Sequence, residues 1–421
     1  MAFKSRFLTI YFGLFALYAI LIGIYLWLAS GDQIPDALKG TAADPATFLT
    51  ETQLQQSEVY SVLRNWLFFI GYPWEWAIYL VLLFTGTAAR WQEKLAHTAM
   101  PGYVRFPVFV LWLSLVSFAA LLPLRLAGYA LARYYGVSTQ AVWSWIRDNA
   151  VSFSIHYVML ALVSSVAFFF IRRGGRWWLK LWLLSVPFIL FLMYIQPVVI
   201  DPLYNEFNRL SNPQLEQKIL ALADKADIPA HRVYEVKVSE KTNALNAYVN
   251  GIGSSLRIVL WDTTLQRLDE NEILLIMAHE MGHYAMHHLE WSALGSVASS
   301  FFLLWIGSML YKAMIRRWGS RWGIRKAGDA AALPVLLLII SLLSFAFSPA
   351  ANFISRQAER SADEYAIRLI GSTEGAVTMY QKLAAASLSE MNPPLLVKLF
   401  RSTHPSLMER IAGVRIHEER K

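Results

Sequence analysis

The chain has no cysteine in 421 residues. That excludes disulfides, a thiolate metal site and a Cys nucleophile, and leaves any metal to His and carboxylate ligands. Charge is sparse too, at 16% of residues, where a water-soluble domain carries about 25%. Lys and Arg outnumber Asp and Glu by 38 to 30, a formal net charge of +8, yet they fall in short loops between apolar runs and build no basic stripe. This distribution argues against nucleic acid as a partner and for a topogenic role. No internal repeat or low-complexity segment is visible, so the inverted halves of a transporter find no support.

What the chain has in abundance is apolar surface: 56% of residues are hydrophobic and the mean hydropathy is +0.38. Several of the 16 Trp and 19 Tyr sit at the ends of apolar runs, as interface anchors do. The lipid bilayer is the natural solvent for such a sequence. About 20 apolar residues cross its hydrocarbon core, and seven runs qualify: 7–30, 66–89, 106–131, 151–171, 177–200, 291–314 and 330–354. Lys4 and Arg6 ahead of the first run resemble a signal peptide, but the apolar stretch exceeds the usual h-region, so it is read as a span. Arg125 inside the third run is costly there and calls for a facing partner or a cavity.

Between the fifth and sixth runs the composition turns soluble. Residues 214–226 follow Asn212-Pro213 with apolar positions Leu215, Ile219, Leu222 and Ala223, the spacing of an amphipathic helix. Residues 233–238 and 247–260 are rich in β-branched side chains, with Asn250-Gly251-Ile252-Gly253 splitting the second stretch into a hairpin. Asp269 and Glu272 form a capping box that opens a helix expected to run through His288.

That helix carries His279-Glu280-Met281-Gly282-His283. Positions i and i+4 share a helix face, so both imidazoles reach one ion while Glu280 projects beside it. Zinc on two His and a carboxylate keeps a fourth position for water, lowers its pKa towards about 7, and needs a neighbouring base to take the proton. Glu280 is the natural base. For the third ligand, residues 355–363 offer Glu359 and Asp363 one helical turn apart, of which one can bind the metal and the other brace a ligand His. On residues alone the same stretch also reads as an exposed charged helix, with Arg356 and Arg360 pairing the acids.

The pentad, the later S-R-x-x-E-x-x-A-D pattern at 355–363, and His404-Pro405 followed by Arg410 resemble, in that order, the CAAX prenyl protease 1 (Ste24-type) family of peptidase family M48, which is related to the HtpX-type membrane proteases. Asn246-Ala247-Tyr248 through Asp262-Thr263 is similar to the family's substrate-side strand, and residues 200–205 to the start of its catalytic region. The likeness is strong from about 200 to 410 and rests on helix number before that.

The resemblance implies a mostly α, polytopic membrane protein with seven transmembrane helices around an intramembrane chamber, plus a zincin-like catalytic domain with a small β-sheet. Residues 1–200 would hold spans one to five, 201–290 the catalytic domain, 291–354 spans six and seven, and 355–421 the remainder of the catalytic domain. It implies one Zn2+ per chain on His279, His283 and Glu359, with Glu280 as base and His404 as a donor to the oxyanion. Asp363 would brace a ligand histidine, Arg410 pair near the site, and His288 stand behind the ligands. Asn246, Ala247 and Tyr248 would hold a peptide or protein substrate, prenylated or not, as an added strand, although Asn246 also reads as a turn residue before a strand. Glu75, Arg125 and His156 suit a chamber lining; His97, His156, His231, His287 and His417 otherwise read as ordinary polar histidines. Nothing in the sequence speaks to oligomeric state.

The five runs ahead of the motif favour the Ste24 type over the HtpX type. An ion transporter would place the motif inside a span, whereas Asp269, Glu270, Asn271 and Glu272 open this helix in a polar segment. The N-terminal tail and the loops after runs two, four and six are basic, and those after one and three are not. With seven spans, the positive-inside rule puts the catalytic side away from the cytoplasm, in a bacterial inner membrane rather than the endoplasmic reticulum.

Overall fold

The structure, a computed structural model, describes residues 2–30, 34–251 and 256–419. Six helices come first: α1 (Ala2–Ala29), α2 (Glu51–Phe84), the short α3 (Thr87–Ala96), α4 (Gly102–Tyr134), α5 (Val142–Arg173) and α6 (Trp177–Ile195). A small α/β unit follows, with β1 (Phe207–Arg209), α7 (Pro213–Lys225), β2 (Val233–Val236), β3 (Ala247–Asn250), β4 (Arg257–Trp261), α8 (Asp262–Arg267) and the motif helix α9 (Glu270–Ala285). The chain then re-enters the bundle through α10 (His288–Trp322) and α11 (Leu333–Ile370), and closes with α12 (Ala376–Ser387), α13 (Leu395–Phe400) and α14 (Leu407–Glu419).

Among the described residues, seven helices are long and apolar enough to span a membrane, in the order expected: α1, α2, α4, α5, α6 with its extension to Leu203, α10 and α11. They run beyond the apolar stretches because hydropathy marks the bilayer slab, whereas helices start at caps. Thus α2 begins fifteen residues before Trp66, at a Thr50–Gln53 capping box. The first span is stitched to the second rather than standing apart: Tyr11 donates to the Pro73 carbonyl at 2.6 Å, and Trp66 to the Ala19 carbonyl at 2.8 Å. Pro73 removes the N–H that would bond Phe69, and Tyr18 donates to that freed carbonyl at 3.3 Å.

The connections sort into two ends. The segment after α1 places Ile34 and Ala43 in the core of the α/β unit, and the turn after α4 bonds it through Ser138 and Thr139 to Lys241 and Ser239. The loops after the second, fourth and sixth spans meet at the other end, where Arg172 donates to the Gly328 carbonyl and Gln92 accepts from the Ala331 amide. A cavity of about 530 Å³ opens between α2 and α4, with Glu75 and Arg125 in its wall. Arg125 also meets the expected partner, Asn149 of α5, at 3.5 Å, while His156 lies outside this lining.

The sheet has the order β1-β2-β4-β3, mixed in direction, with β3 and β4 antiparallel as the hairpin reading expects. Of the anticipated turn, Asn250 ends β3 and Gly251 has φ of 98°; Ile252 and Gly253 lie outside the described residues. β1 was not expected, being three residues without alternation.

One expectation is overturned. The motif helix does not run through His288: α9 ends at Ala285, His287 takes a left-handed conformation at φ of 56°, and His288 opens α10. Such a conformation costs a non-Gly residue about 1–2 kcal/mol, and neither Gly nor Pro marks the break in sequence. The sixth span therefore grows straight out of the motif, and α11 continues unbroken from the seventh span into Glu359 and Asp363. The compositional boundaries at 290 and 354 both fall inside helices.

Candidate active site

Helix α9 is fixed at its N-terminus by the Asp269–Glu272 capping box, and Glu272 is buried there against Thr378 and Lys382 of α12. Its next three turns bury Ile273, Ile276, Met277 and Met281 against β3 and α11. This packing points His279 and His283 to one side, with Nε2 atoms 3.2 Å apart. From α11, Glu359 brings Oε2 to 3.3 Å of His279 Nε2 and Oε1 to 3.4 Å of His283 Nε2. Gly282 permits the approach: a Cβ there would meet the Tyr365 ring at 3.1 Å.

These separations suit a metal. A tetrahedral ion with bonds of about 2.0–2.1 Å has ligand–ligand edges of roughly 3.4 Å, and the three donor atoms all lie within 4.8 Å of one another. Glu359 Oε2 is buried without a hydrogen-bond partner, which an ion would satisfy. Burial opposes charging His279, but the Asp363 and Glu359 carboxylates outweigh it and hold its pKa at about 9. The pocket thus draws a cation, and a metal would displace that proton.

Around the three donors stand the residues that orient them. Asp363 Oδ1 lies 2.8 Å from His279 Nδ1, and Arg410 grips Asp363 with Nε and Nη2 at 2.9 and 2.5 Å. Tyr380 donates to the same carboxylate at 3.0 Å and stacks under the Arg410 guanidinium at 4.6 Å. His288 Nδ1 is 2.9 Å from His283 Nδ1. Tyr380 left no trace in the sequence pattern. Arg356 and Arg360 do not pair Glu359 or Asp363. Arg356 donates to the Lys398 and Ser402 carbonyls, fixing the loop that carries His404, and Arg360 pairs with Glu409.

One cavity of about 530 Å³ joins His279, Glu280, His404 and Arg410 to Asn246 and Ala247. Burial lifts the Glu280 pKa above the usual carboxylate range, against the pull of His279 and His283. His404 has Nε2 at 3.4 Å from Glu359 Oε1; its side chain is 58% exposed, and partial desolvation with the nearby Arg410 and histidine charges lowers its pKa, against Glu359. β3 is the last strand of the sheet, with one edge unpaired among the described residues, and residues at its start line the cavity. The Tyr248 ring instead packs with Val236, Val238 and Val259 on the other face, so Tyr248 can offer a substrate only its backbone. Of the histidines read as ordinary, His97, His156 and His231 lie outside the cavity lining, His287 serves the turn before α10, and the His417 side chain lies outside the described part.

Residues 209–418 match the model of peptidase family M48, and residues 25–206 that of the CAAX prenyl protease N-terminal region, five membrane helices. An uncharacterized metalloprotease of Bacillus subtilis, YhfN, is 47% identical over 399 residues, 94% of this chain and 93% of that one. The CAAX prenyl protease 1 of Saccharomyces cerevisiae is 26% identical over 73% of this chain and 72% of its own length. A crystal structure of S. mikatae Ste24p superposes with a TM-score of 0.82 over 98% of both chains at 21% identity. With five spans, the pentad and the glutamate-bearing seventh span in that order, the chain belongs to peptidase family M48, as a Ste24-type membrane metallopeptidase.

Proposed function

We propose that the protein is a zinc endopeptidase that cleaves extended polypeptides near their C-termini, His279, His283 and Glu359 holding the ion. The observation that carries this reading is the cluster of those three donors beside a cavity lined by His279, Glu280 and His404 and, at the start of β3, by Asn246 and Ala247. Zinc in such a set supplies Lewis acidity, which polarises a peptide carbonyl and acidifies a water. Glu280 takes the proton from the attacking water and delivers it to the leaving amine. His404, on the cavity wall, donates to the carbonyl oxygen as negative charge develops there. Asn246 and the β3 backbone hold the substrate as an added strand.

The membrane side follows the charge. The basic loops gather at the end of the bundle opposite the α/β unit, which supports a catalytic domain facing away from the cytoplasm. A periplasm-active reporter fused after Lys421 is expected to be active; activity only from a cytoplasmic reporter overturns the orientation.

The catalytic reading is tested with detergent-purified, zinc-loaded protein and a farnesylated C-terminal peptide beside its unprenylated twin. Cleavage is expected to require zinc and to vanish in Glu280→Gln. Equal cleavage of both twins favours a quality-control protease of broad specificity, and cleavage of neither refutes the reading.

A further inference from the structure

The active-site cavity does not end at the metal ligands. Its wall continues to Arg64 and Asn65 of α2, to Glu390, and to Arg401 just past α13. Arg401 donates to the Asn65 side-chain oxygen and lies over the Phe68 ring at 5.4 Å, and Arg64 lies over Tyr60 at 5.3 Å. Arg209, Arg360 and Arg410 stand in ion pairs; among the described residues, Arg64 and Arg401 join none. Arg64 Nε is buried without a hydrogen-bond partner. Burial, and after it the neighbouring Arg64 charge, pulls the Arg401 pKa down to about 10, against Tyr60 and Glu390. The acid on the same wall, Glu390, forms no direct ion pair with either, and burial raises its pKa to about 7, so it offsets the two cations only in part and room remains for a further anion.

Chain geometry sets how far this pair stands from the chemistry. Only Ser402 and Thr403 separate Arg401 from His404, and a fully extended chain advances about 3.3–3.6 Å per residue, so their Cα atoms lie within about 11 Å. Arg356 clamps the Ser402 carbonyl at 2.8 Å, so the spacing is held. A carboxylate held by this pair therefore belongs to a chain that ends within a few residues of the cleaved bond.

We propose that Arg64 and Arg401 bind the C-terminal carboxylate of the substrate, so that the enzyme measures its cleavage position from the chain end. This rests on the peptidase reading and deepens it. A guanidinium pair takes a carboxylate through charge-assisted, in-plane hydrogen bonds, and a chain that continued beyond this point, or ended in an amide, would leave the pair with only Glu390 to offset it.

The test is binding, which does not depend on turnover. In the zinc-loaded Glu280→Gln protein, a fluorescent farnesylated peptide ending in a free acid is compared with its C-terminal amide. The acid is expected to bind about tenfold more tightly, and Arg64→Gln or Arg401→Gln to bring the ratio near one. Arg401→Lys should retain part of it, and unchanged zinc content certifies each variant as folded. Equal binding of acid and amide, or a preference that survives both Gln variants, overturns the proposal. Wild-type cleavage is scored separately: failure to cut either peptide refutes the peptidase reading, while the binding ratio still decides the carboxylate site.

Discussion

His288 Nδ1 lies 2.9 Å from His283 Nδ1, so one of these nitrogens carries a proton and the other a lone pair. For the neutral His283 ring to present a lone pair at Nε2, the proton must sit on its Nδ1. His288 then accepts, and its own proton lies on Nε2, facing Ser361 Oγ at 3.4 Å. Ser361 in turn donates to the Ala358 carbonyl at 2.8 Å. The left-handed turn at His287 is what brings the His288 ring back over the ligand. Replacing His288 with Ala is expected to weaken zinc about 10–100-fold, as loss of an orienting partner does, with the fold intact. Competition against a chelator measures this, and unchanged affinity would remove His288 from the metal site.

The two acids of α11 should separate cleanly. Glu359 faces both imidazole Nε2 atoms, whereas Asp363 reaches only the far nitrogen of His279 and is itself held by Arg410 and Tyr380. Glu359→Ala is expected to abolish stoichiometric zinc, and Asp363→Asn to retain zinc at about 10–100-fold lower affinity. Full metal content in Glu359→Ala would move the third ligand elsewhere.

Much of this was legible because two periods are hard to miss. Apolar runs long enough to span announce the seven helices, and an i, i+4 histidine pair announces the pentad. The third ligand was ambiguous between Glu359 and Asp363 until the resemblance chose, since both lie on one helix face. Tyr380 and Arg356 act through a carboxylate and through carbonyls contributed by distant segments, contacts that no local spacing encodes. The break at His287 was invisible because Ala285-Met286-His287-His288 suits a helix, and only packing of α10 against the bundle rewards leaving it.

Gly282 lets α9 lie close against α11. An alanine Cβ would stand 3.1–3.3 Å from Tyr365 atoms, so the ring or α11 must yield by a few tenths of an ångström. Overpacking of this kind costs about 1–3 kcal/mol, and Tyr365 sits two residues beyond Asp363 on the same helix. Gly282→Ala should therefore lower both the melting temperature and zinc affinity, and a variant matching the wild type in both would show the contact to be slack.

Glu390 offers a pH signature outside the metal site. Burial raises its pKa from 4.5 to about 7, an effect that Glu58 adds to and that Arg64, Arg401 and Lys398 oppose. In the unfolded chain the carboxyl ionises near 4.5, but in the folded protein ionisation is resisted up to about 7, so folding binds a proton between those values. Stability from this group is therefore present at low pH, falls as pH rises from about 4.5 to 7, and is level above. Glutamine reproduces the neutral form at every pH. The melting temperature of Glu390→Gln minus that of the wild type should be near zero at pH 4.5, grow through pH 7, and stay constant to pH 8.5; a difference independent of pH would mean that Glu390 ionises freely in the folded cavity.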